Sequence, residues 1–215
     1  MTEVRVFYSK TGKMKFVSHL DMNRLMARVI KKAGVPVWYT EGFNPHPYMT
    51  FSMPLSLGHE SLCESFDIRL VEDVDTNELK SRMNAVMPQG IEITSISAPR
   101  FKPTDITSAD YIIKFYTNDK GFAAKLDAFI KRETIIAEKS GKKGKITEID
   151  LAKKMLSKSV ETTGYGCNLF VSLPSGTTEN INPALLIGAF EATVLDMPPI
   201  DIIRTKLYCL EEEYK

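Results

Sequence analysis

Ser18-His19-Leu20-Asp21-Met22-Asn23-Arg24-Leu25-Met26-Ala27-Arg28-Val29-Ile30-Lys31-Lys32-Ala33-Gly34 is the segment on which the fold turns. Met22, Leu25, Met26, Val29, Ile30 and Ala33 recur at i, i+3, i+4, i+7, i+8 and i+11, the spacing of one apolar helix face. Ser18 stands where an N-cap belongs, with Asp21 three residues on as a variant capping box. Gly34 takes the C′ position that favours glycine. Extended segments flank this helix. Residues 4–8 alternate as a strand, residues 9–13 read as a turn, residues 14–17 as extended again, and residues 35–39 as a second strand.

Further along, residues 62–71 read as a strand, 75–86 as a helix ending near Pro88-Gln89-Gly90, and 91–96 as a strand. The order is β-α-β-β-α-β, the split βαβ or ferredoxin-like pattern. After a linker at 99–108 the order recurs: a strand at 111–116, a helix at 121–131, a short strand at 134–138, a strand at 168–173, a helix opened by Asn182-Pro183, and a strand at 202–210. The expectation is an α+β chain of two tandem ferredoxin-like (βαββαβ) units with antiparallel sheets. The units are residues 1–98 and 109–215, with a basic insertion at 139–166 between the two middle strands of the second.

With 43% hydrophobic and 26% charged residues, the composition is that of a soluble globular protein. The net charge of +1 hides a polarised chain. Residues 1–59 hold 8 Lys/Arg and 3 Asp/Glu (+5), residues 60–98 hold 3 and 8 (−5), and the remainder holds 17 and 16 (+1). Local fields govern binding more than the sum does, so a basic lobe is expected. Cys63, Cys167 and Cys209 are widely spaced and form no CxxC pattern or disulfide framework, as expected of buried thiols in a reducing cytosol. No stretch approaches the roughly 18 apolar residues of a membrane span, and residues 1–5 lack the apolar core of a signal peptide. A cytoplasmic location is the expectation.

The chemistry-bearing residues gather in the first unit. All three histidines, His19, His46 and His59, fall within 41 residues. Gly42-Phe43-Asn44-Pro45-His46-Pro47 is a loop whose glycine and prolines fix the backbone around one aromatic and one imidazole. It reads either as a binding loop or as a structural loop whose His46 bonds a backbone carbonyl. Asp21, Arg24, Arg28 and Lys31 or Lys32 form a polar stripe at helical spacing. Alone it is a solvated face. Beside His19, the helix start and the preceding Lys13 and Lys15, it reads as a phosphate site of guanidinium forks. Aromatics nearby suit base stacking, with Phe43 and Tyr48 the better candidates for exposure. His59, Glu60, Cys63 and Glu64 invite a metal reading, but a strand would set residues 59 and 63 about 13 Å apart, so none is expected. Gly164-Tyr165-Gly166 reads as a hairpin turn. Lys139, Lys142, Lys143, Lys145, Lys153, Lys154 and Lys158 make the insertion basic, as suits a solvated flap or a nucleic-acid backbone.

Phe16-Val17-Ser18-His19-Leu20-Asp21 with Arg24 and Arg28, then Gly34-Val35-Pro36, Gly42-Phe43-Asn44-Pro45-His46-Pro47, Pro54-Leu55-Ser56-Leu57-Gly58 and Glu60-Ser61, resembles the radical-SAM-linked protein family. These are bacterial proteins of unassigned function, fused to or encoded beside radical SAM proteins. The likeness spans residues 5–70 and thins afterwards, with Ile149-Asp150-Leu151 and Arg204-Thr205-Lys206-Leu207 as weaker landmarks. Thr40-Glu41 stands where the family usually reads Ser-Gln. The resemblance implies a radical SAM protein as partner. The chain has no CxxxCxxC triad, so it would be the accessory half, with no cofactor of its own. Tandem ferredoxin-like units also resemble the RNA-processing endonucleases of CRISPR systems. The expected function is an RNA-binding or substrate-presenting module, with His19, Asp21, Arg24, Arg28, Phe43, Asn44 and His46 lining one pocket. The alternatives are a metal-independent RNA endonuclease and a protein-interaction module.

Overall fold

Val4, Val6 and Tyr8 turn to one side of strand β1 (Thr2–Lys10) and into the core, as strand alternation dictates. In the computed structural model, which describes residues 1–140 and 146–215, the chain is α+β with antiparallel strand pairing and forms two compact units. One comprises Met1–Asp105 with Tyr214–Lys215, the other Ile106–Glu213. Lys142, Lys143 and Lys145 of the basic insertion lie outside the described residues.

In the first unit, β1 is followed by α1 (His19–Lys32), β2 (Met49–Phe51), β3 (Glu60–Leu70), α2 (Thr76–Asn84) and β4 (Ile91–Ser97). The strands lie in the order β4-β1-β3-β2, every neighbouring pair antiparallel. Helix α1 buries Met22, Met26, Val29 and Ile30 against Val6, Phe66, Ile68 and Ile93. Each such side chain contributes roughly 1.5–3 kcal/mol by leaving water. The caps are those the sequence predicts. Ser18 Oγ accepts the Asp21 N–H at 3.2 Å, and Gly34 ends the helix at φ +62°, a conformation that side chains with a Cβ resist. The Arg82 guanidinium donates to the Ala33 carbonyl, satisfying an orphan acceptor at the helix end.

Two local expectations are corrected. Residues 12–16 form a 3-10 helix rather than an extended segment. Residues 35–39 make only isolated bridges, Val37 to Leu70 and Tyr39 to Pro47, and the edge strand proper is Met49–Phe51. Pro36 cannot donate to a ladder, and the chain leaves the edge just after it.

The face of this sheet away from α1 holds a buried polar cluster. Arg5 and Asp67 sit opposite each other in the β1–β3 register and form a bidentate ion pair at 2.7 and 2.8 Å. The Arg5 guanidinium lies 4.4 Å from the Tyr214 ring centroid. Ser52 Oγ lies 2.8 Å from both Tyr214 Oη and Ser65 Oγ. Burial pushes the Tyr214 hydroxyl up to about 12. A raised native value means the stabilisation is complete below the unfolded tyrosine's value near 10 and is lost as pH rises towards 12. Wild type is expected to lose on the order of 2 kcal/mol across that window that Tyr214→Phe does not lose, read from urea midpoints at each pH. Parallel curves would show that the phenol is not titrated by unfolding.

The second unit runs β5 (Ser108–Tyr116), α3 (Phe122–Ile130), β6 (Ile136–Ser140), β7 (Ile146–Asp150), β8 (Ser157–Thr163), β9 (Gly166–Pro174), α4 (Pro183–Glu191), β10 (Ile200–Cys209) and β11 (Glu212–Glu213). Its sheet is ordered β8-β9-β5-β10, with β11 on β10, while β6 and β7 pair in a separate ribbon. Phe115, Phe122 and Phe190 meet at centroid distances of 5.4 to 6.3 Å in its core. Asn182 caps α4 ahead of Pro183, as its sequence predicts.

The strand beside β9 is β8, inside the stretch read as an insertion, and not residues 134–138. Those residues enter β6, whose partner is β7. Asp150 closes the ribbon by accepting the Ile135 N–H at 3.0 Å and the Ala152 N–H at 3.2 Å. The Ile135 bond is the chief reason that its carboxyl titrates below its usual value. Among the described residues, no helix is long and apolar enough to cross a membrane.

Candidate functional site

The Gly42–Pro47 motif is the tip of an arm on the edge of β3. Val37 bridges Leu70 and Met49 pairs with Ile68, so the chain leaves the edge beside Arg69 and returns to it. At the base, the Trp38 N–H donates to the Arg69 carbonyl at 2.8 Å and the Tyr48 N–H to the Trp38 carbonyl at 3.0 Å. The Arg69 guanidinium stacks 4.6 Å from the Tyr48 ring and 5.8 Å from Trp38. Higher up, the Thr40 N–H donates to the His46 carbonyl at 2.9 Å, and the His46 N–H to Thr40 Oγ1 at 3.2 Å. Gly42 turns the tip at φ +123°, a region closed to side chains.

His46 Nδ1 lies 3.1 Å from both the Asn44 carbonyl and Thr40 Oγ1. A carbonyl only accepts, so Nδ1 carries the proton and Nε2 is left as the acceptor of the neutral ring. The structural reading of this loop, an imidazole bonded to a backbone carbonyl, is therefore realised, and the outer ring nitrogen remains available. Phe43 sits at the tip with its side chain fully in water, at 105% relative exposure.

At the start of α1, the Ser18 hydroxyl donates to Asp21 Oδ2 at 2.7 Å and Arg24 donates to Asp21 Oδ1 at 3.2 Å. The Ser18 bond first, then the Arg24 bond and the charges of Arg24 and Arg28, hold the Asp21 carboxyl below its usual value. Arg24 and Arg28 are exposed. His19 is the first helical residue and meets the Phe51 ring edge-on at 5.1 Å.

The seven predicted residues thus form two groups. His19, Asp21, Arg24 and Arg28 lie along α1, while Phe43, Asn44 and His46 lie on the arm. Among the described residues, no hydrogen bond, ion pair or ring contact joins one group to the other. They are connected through the edge strand, since Phe51 beneath His19 lies three residues beyond Tyr48 at the arm's base. None of the seven lines either of two surface cavities. One, of about 520 Å³, is lined by Thr11, Gly12, Lys13, Gln89 and Gly90. The other, of about 250 Å³, lies between Thr117–Lys120 and Thr162–Gly166. His59 and Glu64 are buried, and among the described residues no three of His, Cys, Asp and Glu converge to hold a metal ion. Leu20 and Leu57 are exposed, and Leu20 falls off the apolar stripe of α1.

The sequence matches no curated protein. Among solved structures, the chain is similar to one in the crystal structure of a Cbf5-Nop10-Gar1 complex, at 10% identity and a TM-score of 0.49. That match covers 95% of this chain and 48% of the other, so this chain spans about half of its length. A family model described as an uncharacterized protein conserved in bacteria matches residues 3–183, taking in α1, the arm and α3. The chain belongs to that bacterial family, DUF2344.

Proposed function

We propose that the protein is an RNA-binding module that presents its substrate to a radical SAM enzyme and does not itself catalyse a reaction. We also read each unit as ferredoxin-like: β4-β1-β3-β2 and β10-β5-β9-β8 both follow the 4-1-3-2 order of a βαββαβ sheet. The observation that carries the functional reading is Phe43, a phenyl ring held in water on an arm braced by its own hydrogen bonds. An unbraced loop would fold such a ring inward, since burial is worth roughly 1.5–3 kcal/mol. A ring fixed outward suits stacking on an unpaired base. His46 Nε2 offers an acceptor to a ribose hydroxyl or base amino group, and Arg24 and Arg28 offer forks to phosphates. The radical SAM partner rests on the motif resemblance. His46 supports binding over proton transfer, because its ring is clamped by the Asn44 carbonyl and Thr40.

A fluorescent 20-nucleotide single-stranded RNA of mixed sequence, titrated by anisotropy, tests the reading. Log K should fall linearly with log salt, by about 0.7 for each phosphate contact, and Arg28→Ala should shallow the slope by about that amount. A flat salt response, or no binding at low salt, would remove RNA from the proposal. The RNA should stay intact. Cleavage that persists in EDTA and vanishes in His19→Asn or His46→Asn would establish the endonuclease instead, since losing such a group lowers rates by ~10²–10⁴.

A further inference from the structure

Three large apolar side chains stand in solvent around the start of α1: Phe16 at 67%, Leu20 at 60% and Leu57 at 64% exposure. The Gly58 N–H donates to the Lys15 carbonyl at 2.8 Å, which pins the loop bearing Leu57 to the 3-10 helix that ends at Phe16. Leu20 follows in the first turn of α1. Together they expose on the order of 300 Å² of apolar surface, the lower end of the size of the largest patch on a typical monomer, which is often functional. The RNA reading leaves the leucines unexplained, because a base stacks on aromatic rings and guanidinium planes and gains little from an aliphatic chain. Near the start of α1, Lys13, Lys15 and Arg24 are basic against the acidic Asp21, while Lys10 is buried on the Val17 carbonyl and Lys31 and Lys32 lie at the far end of the helix.

We infer that Phe16, Leu20 and Leu57 form a docking face for a partner protein whose contact surface is an apolar patch ringed by Asp and Glu. The leucines and Phe16 supply the desolvated centre, and the flanking lysines and arginines orient and accelerate the encounter. A lipid surface fits less well. The apolar stripe of α1 is already spent on the core, and Asp21, tied to Ser18 and Arg24, would face the lipid phosphates. The apolar centre of this face, Phe16, Leu20 and Leu57, is not used by the RNA reading.

The test places a benzoylphenylalanine photocrosslinker singly at positions 20, 57 and 195 of the full chain in a bacterium that encodes it. Leu195 is 109% exposed in the second unit and serves as the control. Positions 20 and 57 should crosslink to the same protein, through a segment in which apolar residues alternate with Asp and Glu, and position 195 should not. That segment, made as a peptide, should bind the purified chain at least tenfold more weakly after Leu57→Asp or Leu20→Ser. Binding of the 20-nucleotide RNA should be unchanged by Leu20→Ser, which alters no charge, so failure of the RNA reading and failure of this one are separable. Crosslinks to a second copy of the chain, to lipid or to RNA would overturn the inference. So would the same products from position 195, no crosslink at all, or peptide affinity indifferent to both substitutions.

Discussion

Asp67→Ala is expected to destabilise the N-terminal unit by about 3–5 kcal/mol, the largest effect of any single substitution considered. Arg5 is fully buried, and its ion pair with Asp67 is bidentate across the β1–β3 register. Removing the carboxylate takes the bidentate acceptor away from a fully buried guanidinium. The melting temperature should fall by roughly 6–20 °C for a chain of this size. Replacing both partners, as Arg5→Met with Asp67→Leu, should recover most of the loss, because a well-packed apolar pair avoids the burial of two charges. A small effect of Asp67→Ala, or a double variant as unstable as the single, would mean that the pair is not what holds the two strands on that face.

This cluster also marks where the sequence stops being readable. The alternation of residues 4–8 puts Arg5 on the side of β1 opposite the core, which on a one-sided sheet reads as solvent. Its partner lies 62 residues away, and Tyr214 closes the cluster from the end of the chain. No local signal reports such a long-range match. Helix α1, by contrast, was legible down to its caps, because its apolar stripe, Ser18 and Gly34 are all local and agree with one another. Strand β8 failed for the opposite reason. Ser157-Lys158-Ser159-Val160-Glu161-Thr162-Thr163 is a polar edge strand with one apolar residue, so the period of two is invisible. Strand β2 is three residues long and follows an arm that interrupts the edge. The candidate residues were legible as two local motifs. Whether helix and arm serve one ligand depends on how far apart the tertiary path sets them, and spacing along the chain carries no such distance.

Phe43→Ala should weaken binding of single-stranded RNA by about tenfold to a hundredfold, the ~1–3 kcal/mol that one stacked base is worth. It should leave stability within about 0.5 kcal/mol of wild type, because the ring is wholly exposed and has no packing to lose. Phe43→Trp should bind at least as well as wild type, since a larger π-face stacks better, whereas Phe43→Leu should behave like alanine although it keeps most of the apolar area. That contrast separates stacking from simple hydrophobic contact. The arm itself can be tested without touching the ring. Gly42 sits at φ +123°, and Gly42→Ala places a Cβ in a conformation that costs about 1–3 kcal/mol, so the tip must move and carry Phe43 with it. RNA binding should then fall although the ring is still present. If Phe43→Ala binds RNA as tightly as wild type, the exposed ring is not a base platform. If Gly42→Ala binds normally while Phe43→Ala does not, the ring acts without the rigid arm, and the bracing of His46 by Asn44 and Thr40 has another purpose.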